Sequence, residues 1–281
     1  MSDRADSHIH LFNPGYIVEL PASCRRIRPD ETTLYEALAK QHNIKQALVV
    51  GYEGEEAYHG NNDYLASLIP THPWVRPVAF YANPASITLK SLEFRREQGF
   101  VGVSLYQFDQ TQARLNAVPE SIWRWLSDHR WLLSVNSTAE HWLPWQGILR
   151  RFPDLRLLIS HLGLPKAPAT PDQAADNLAT ITALAKFPQV FVKLSGFYAL
   201  STPAHDYPHR AGWPLVPVLL DQFGPDRLLW GSDFTPALEF VSFPQTLDVL
   251  QYIPGLDPDS RRRIEGGNLI QLLKEVSTTQ P

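Results

Sequence analysis

The 281-residue chain reads as an α/β protein, a single (β/α)8 TIM barrel spanning residues 1–281 as one domain. Three observations predict this. Eight short apolar runs recur along the whole length, helical stretches with start and stop signals separate them, and no glycine-rich phosphate turn follows the first run. Strands that alternate with helices pair in parallel as βαβ units. Eight units in roughly the length of a typical α/β barrel favour a closed ring. An open doubly wound sheet would more often carry the phosphate turn.

The strand candidates, in order, are "DSHIHL" (6–11), "QALVVGY" (46–52), "RPVAFYA" (76–82), "VGVSLY" (101–106), "WLLSVNS" (131–137), "LRLLISH" (155–161), "VFVKLSG" (190–196) and "RLLWGSD" (227–233). Between them, "SITLKSLEFRREQG" ends on Gly99, a natural helix stop. "PESIWRWLSDH" and "TAEHWLPWQGILRRF" carry apolar residues near helical spacing. In "TPDQAADNLATITALAKF", Thr170 is the expected cap, Pro171 the first helical residue and Gln173 the partner in a capping box. The proline-rich stretches "LPKAPATPD" and "YPHRAGWPLVP" follow strands six and seven, where a barrel keeps its βα loops, and a short polar tail is expected from about Val276.

Composition narrows the function. A hydrophobic content of 44% supplies a large core, and a net charge of -4 without a basic block gives no electrostatic support for nucleic-acid binding. The single cysteine, Cys24, rules out an intrachain disulfide and suits a reducing compartment. No secretory signal and no apolar run near the ~20 residues of a membrane helix are visible. The expectation is a cytoplasmic protein acting on a small molecule, with no membrane partner. The tryptophans of "SIWRWL" are expected to pack against the barrel or a second copy, which allows a homo-oligomer.

Barrel active sites collect at the C-terminal ends of the strands. His8 and His10 lie two apart at the end of strand one, so they share a face. His161 closes the alternation Leu155, Leu157, Ile159, His161 at the end of strand six, and Asp233 follows Leu229 and Gly231 in phase at the end of strand eight. Three histidines and an aspartate meeting at one mouth are the inventory of a divalent transition-metal site. Lys193 shares a face with Phe191 and Ser195 and should point into the barrel, to meet either substrate or a carboxylate. Ser104, Tyr106 and Asn136 end inward-facing alternations and are candidates for substrate contact. In the loop "HDYPHRAGW", His205 and His209 read as solvated, while Arg210 suits bidentate capture of a carboxylate, with Arg114 a second candidate.

The segments "DSHIH", "SHLGLP" (160–165), "VKLSGFY" (192–198) and "WGSDFTP" (230–236) resemble, in order and over nearly the whole chain, the amidohydrolase superfamily in its lactonase-like, amidohydrolase-2 branch. That branch includes 2-pyrone-4,6-dicarboxylate hydrolases and sugar lactonases, with metal-dependent decarboxylases as cousins. The resemblance implies metal or site histidines at His8, His10 and His161 and an acid/base aspartate at Asp233. Dinuclear relatives place a carboxylated lysine at a mid-barrel strand end. Here Ser134 and Asn136 stand there, so one metal ion is expected. Zinc is the first choice and manganese the second, while some relatives hydrolyse lactones without metal. Many lactonase relatives have an arginine in the strand-four motif, where this chain reads "GVSLYQF".

These residues suit a hydrolase that opens a lactone or related cyclic ester with water activated by a mononuclear metal, by Asp233, or by both. A non-oxidative decarboxylase could use the same four side chains. A silent metabolite-binding barrel would have no need of both a base and a ligand cluster.

Overall fold

The computed structural model describes residues 2–13, 15–16, 30–170 and 172–277. Cys24 and Pro171 lie outside the described residues. Eight strands form one sheet in sequence order: β1 (Arg4–Ile9), β2 (Ile44–Val50), β3 (Val75–Phe80), β4 (Gly102–Gln107), β5 (Leu132–Ser137), β6 (Arg156–Ile159), β7 (Val190–Leu194) and β8 (Leu228–Trp230). Every neighbouring pair is parallel. All eight candidates are therefore strands, each shifted by a few residues from the run that predicted it.

The ring closes where the chain leaves β8 and passes beside β1. Ile9 and Phe234 form a parallel bridge, the Asp233 N–H donates to the His8 carbonyl at 2.8 Å, and the His10 N–H donates to the Phe234 carbonyl. Buried Asp6 ties this seam from behind. Its carboxylate accepts from the backbone N–H of Ser232 (2.9 Å) and of His8 (3.2 Å), and from the Tyr35 hydroxyl (3.1 Å). Burial nevertheless pushes the Asp6 carboxyl up to about 7, because desolvation outweighs those three bonds. Gly231 permits the close approach: a Cβ there would stand 2.9 Å from that of His8.

Helices cover the outside, and their ends follow local chemistry. The Asp30 side chain caps the helix Glu31–Gln41 by accepting the Thr33 N–H at 2.7 Å. Thr88 and Ser91 form a capping box at the start of Leu89–Glu97, and Gly99 ends that segment at φ +96°. In Glu120–Asp128, Trp123 and Trp125 are buried. Trp125 stacks on His129 and donates to Glu93 at 2.7 Å, so both tryptophans are spent within the fold.

Two expectations are revised here. The segment after Thr170 is not one capped helix but two short pieces, Gln173–Asn177 and Ala179–Thr182, broken at Leu178. The Gln173 side chain accepts from the Ala169 N–H instead of completing a box. The β-branched run Thr180-Ile181-Thr182 keeps the second piece short. Val276, where a polar tail was expected to begin, is buried on the helix Asn268–Ser277, and residues 278–281 lie outside the described residues.

Candidate active site

β1 delivers two imidazoles to one point. His8 Nε2 lies 3.2 Å from His10 Nε2, as the two-residue spacing requires. The His10 Nδ1 is 2.8 Å from the Val50 carbonyl, which only accepts, so His10 carries its proton on Nδ1 and turns a bare Nε2 into the site. Asp233 approaches from the opposite side of the seam, with Oδ1 3.7 Å from His8 Nε2.

The second half is not placed by strand alternation. β6 ends at Ile159, and His161 stands in the following turn at φ +52°; Asp233 lies three residues past β8 at φ +58°. Both sit in left-handed backbone, so the phase argument that singled them out does not explain their position. Each is held by a partner that sequence reasoning missed. The Ser195 hydroxyl lies 3.0 Å from His161 Nδ1, and the Tyr198 hydroxyl donates to Asp233 Oδ2 at 2.6 Å. Tyr198 also stacks on Phe240. Both belong to "VKLSGFY", but Tyr198 lies in the turn after β7, where a period-two pattern carries no information. Gly196, between them at φ +67°, leaves room for His161: a Cβ would come within 2.7 Å of Nδ1.

Lys193 is fully buried inside the barrel. Its Nζ donates to Ser134 Oγ at 2.6 Å and lies 3.3 Å from His8 Nδ1, so its nearest partners are a hydroxyl and an imidazole, not a carboxylate. Burial pulls its pKa down to about 7, with Asp233 and Asp6 opposing the shift. Burial also lowers all three histidines, His10 to about 4 and His8 well below its ordinary value. The site therefore presents neutral imidazoles at neutral pH.

Ser104 and Tyr106 on β4 sit in register with Ser134 and Asn136 on β5. Because Lys193 reaches Ser134 from across the barrel, these positions face inward. Ser104 Oγ and Asn136 Oδ1 are buried without a protein partner. Beside His10 a cavity of about 200 Å³ opens, walled by Tyr16, Tyr52, Tyr58, Tyr106 and Glu55. Only Tyr106 of that wall was anticipated.

Arg210 is exposed and lies over the Trp213 ring, and Arg114 pairs with Asp109, so neither is brought to the cluster. His205 is exposed, whereas His209 is buried beside Ser201 Oγ at 3.1 Å, contrary to a solvated reading.

His8, His10 and Asp233 each offer one ligand atom, and these atoms lie within 4.8 Å of one another. Two imidazoles and a carboxylate are a donor set that zinc or manganese accepts, and three protein ligands leave a position for water. His10 already has the outer hydrogen bond that metal-bound histidines show. The residues thus fit one divalent ion. His161 stands beside this triad, its ring centroid 4.4 Å from that of His8.

Similarity to known proteins agrees with the geometry. The chain resembles an amidohydrolase from Burkholderia multivorans with bound zinc, at 18% identity, a TM-score of 0.72 and coverage of 97% of this chain and 99% of that one. It is equally similar in fold to a probable 2-pyrone-4,6-dicarboxylic acid hydrolase from Acinetobacter baumannii with citric acid bound, at 18% identity, a TM-score of 0.72 and the same coverage. A curated relative, the L-fucono-1,5-lactonase of Burkholderia ambifaria, is 33% identical over 124 residues; the match spans 42% of this chain and 41% of the relative's length. Among the described residues no helix is long and apolar enough to cross a membrane. The amidohydrolase family model matches residues 5–274, and the chain, a hydrolase enzyme, belongs to that family.

Proposed function

We propose that this hydrolase opens an uncharged cyclic ester, of the sugar-lactone class, at the seam between β1 and β8. One observation carries the reading: His8, His10 and Asp233 meet beside a cavity whose wall, among the described residues, is tyrosine and glutamate with Phe12 and Pro236, and holds no lysine or arginine. Tyrosine rings pack against the apolar faces of a sugar ring while their hydroxyls bond its hydroxyls. Glu55 would accept from a hydroxyl and repel a carboxylate. A dicarboxylate substrate would call for guanidinium groups; Arg210 and Arg114 are engaged elsewhere, and Arg25, Arg26 and Arg28 lie outside the described residues. The lactonase relative supports the same class.

In the mechanism we infer, Asp233 takes a proton from the attacking water and returns it to the ring oxygen as the ester bond breaks, giving the open hydroxy acid. Tyr198 holds Oδ2, which leaves Oδ1 toward the imidazoles. His161, neutral and fixed by Ser195, donates to the carbonyl oxygen as negative charge builds there. Asn136 Oδ1 accepts from a substrate hydroxyl and Ser104 Oγ accepts from or donates to one, both being buried and unsatisfied, with Tyr106 at the wall. Lys193 acts from beneath, through His8. When bound by His8, His10 and Asp233, a zinc or manganese ion supplies Lewis-acid polarisation of the carbonyl and a more acidic water.

The test is an acid-release assay over neutral sugar 1,4- and 1,5-lactones and 2-pyrone-4,6-dicarboxylate, run with zinc, with manganese and with chelator, while headspace carbon dioxide is followed. Neutral lactones should give the highest kcat/KM without gas. Preference for the dicarboxylate, or carbon dioxide release from an unsaturated acid, would overturn the assignment.

A further inference from the structure

The two β1 histidines are wired in opposite senses. His10 Nδ1 faces a carbonyl, which only accepts, whereas His8 Nδ1 faces the Lys193 amine at 3.3 Å. A lysine ammonium has three donors and no acceptor, so while Lys193 is charged the imidazole nitrogen turned toward it is the bare one. A neutral imidazole has a single N–H, and on His8 that proton is left on Nε2. The next contact agrees: His8 Nε2 lies 3.2 Å from His10 Nε2, the nitrogen that the Val50 carbonyl leaves bare. One continuous chain of donors results, from Lys193 Nζ to His8, from His8 Nε2 to His10 Nε2, and from His10 Nδ1 to Val50 O. Lys193 is anchored in it by its second bond, to Ser134 Oγ at 2.6 Å, and has no exposed surface by which to turn away.

We propose that Lys193 sets the tautomer of His8 and thereby opposes metal binding at the triad. As an ammonium it keeps a proton on the one nitrogen, His8 Nε2, that the ion needs bare. His10 is preset to ligate; His8 is preset to donate. An ion seated on both Nε2 atoms must displace the proton between them, and His8 can take it on Nδ1 only where Lys193 does not present a donor. Lys193 is thus a positioning residue that weakens the hold on metal and favours the hydrogen-bonded form of the centre. The inference rests on reading this cluster as the reacting centre, but it concerns the protein without substrate.

The experiment reads the tautomer directly. Nitrogen-15 correlation spectra of the metal-free protein at pH 6, with His8 assigned by its replacement with asparagine, should show Nε2 protonated and Nδ1 bare. In Lys193→Gln, where the amide oxygen can accept from Nδ1, the proton should move to Nδ1. Zinc affinity, measured by competition with a chromophoric chelator, should then tighten by about tenfold or more, the scale on which groups behind a metal ligand act. A wild-type His8 protonated on Nδ1 would overturn the proposal, even if the variant fails to fold. A folded variant with unchanged or weaker zinc affinity would also overturn it. No lactone is involved, so a failed substrate screen and a failed tautomer prediction are separate results.

Discussion

His8 and His10 stand on backbone with ordinary φ at the end of β1, whereas His161 and Asp233 stand on left-handed turns beyond β6 and β8, at φ +52° and +58°. The first arm is aimed by the pleat of β1, with His10 one residue past the strand and held by the Val50 carbonyl, and His8 flanked by Lys193. The second requires non-glycine residues in a conformation that costs about 1–2 kcal/mol each, and Leu162 and Leu164 add two more such residues beside His161. Such strain persists only where the surroundings over-determine it. Here Ser195 and Tyr198 fix the two side chains, and the seam between β1 and β8 fixes the backbone. In the mechanism we propose, the strand arm supplies two imidazole ligands on rigid geometry, while the turn arm supplies the third ligand and the proton chemistry, held in place by side-chain contacts. Substitutions of those contacts should therefore injure the turn arm specifically.

The largest effect is expected from Asp233→Asn. Asparagine keeps the shape, tolerates left-handed backbone and cannot take up a proton at neutral pH. The variant should fold, by circular dichroism, and lose at least about two orders of magnitude in kcat on the active lactone. A folded variant that keeps most of its activity would remove the base from the account.

Next comes Gly196→Ala, which sharpens the claim that the turn arm is over-determined. The added methyl would press within 2.7 Å of His161 Nδ1 at a φ of +67°, and either the backbone or the imidazole must shift. We expect a stability loss of order 1–3 kcal/mol in urea unfolding and a fall in kcat of roughly tenfold to a hundredfold. Unchanged kcat would show that His161 need not be held where it stands.

Tyr198→Phe is milder. It deletes one hydrogen bond to a carboxylate, worth about 1.5–3 kcal/mol, and leaves the stack on Phe240. About a tenfold fall in kcat with little change in KM is expected, since the phenol is argued to steady the base and not to bind substrate. A rise in KM alone would place Tyr198 with the substrate instead.

The smallest effect lies in acid stability. Burial holds His8, His10 and His161 below the ordinary histidine value, His10 at about 4, so between about pH 4 and 6.5 the unfolded chain binds more protons than the folded one. Stability is then lost as pH falls through that window. Asp6 works in the opposite direction: its carboxyl is raised to about 7, so its contribution is present at low pH and is lost as pH rises toward 7. Three imidazoles against one carboxyl leave a net loss in acid. His10→Gln, in metal-free buffer, should flatten the slope of unfolding free energy by up to about 1.4 kcal/mol per pH unit. An unchanged slope would show that His10 is not a buried neutral base.

Much of this was legible in the sequence because it follows a period. Eight apolar runs gave eight strands, and His8 with His10 could be read as a facing pair from spacing alone. Lys193 could be placed inside the barrel from its alternation with Phe191 and Ser195, although its partners, Ser134 and His8, could not, since they depend on which strands face each other across the ring. His161 and Asp233 were found from strand phase and from their motifs, but the regular strand offered as the reason ends before either of them. Tyr198, Tyr16, Tyr52, Tyr58 and Glu55 escaped notice because loop side chains carry no periodic signal. Arg210 was chosen for its chemistry alone, and the fold places it over Trp213.

The central claim is that the strand arm and the turn arm form one reacting centre. A double-substitution cycle tests it most directly: kcat is measured for His8→Asn, Asp233→Asn and the two combined, on one lactone and with folding confirmed for each. Groups that act as a unit are not additive, so the double variant should be no slower than the slower single variant, within about threefold. Losses that multiply across the two substitutions would show that the arms contribute independently, and would contradict the account.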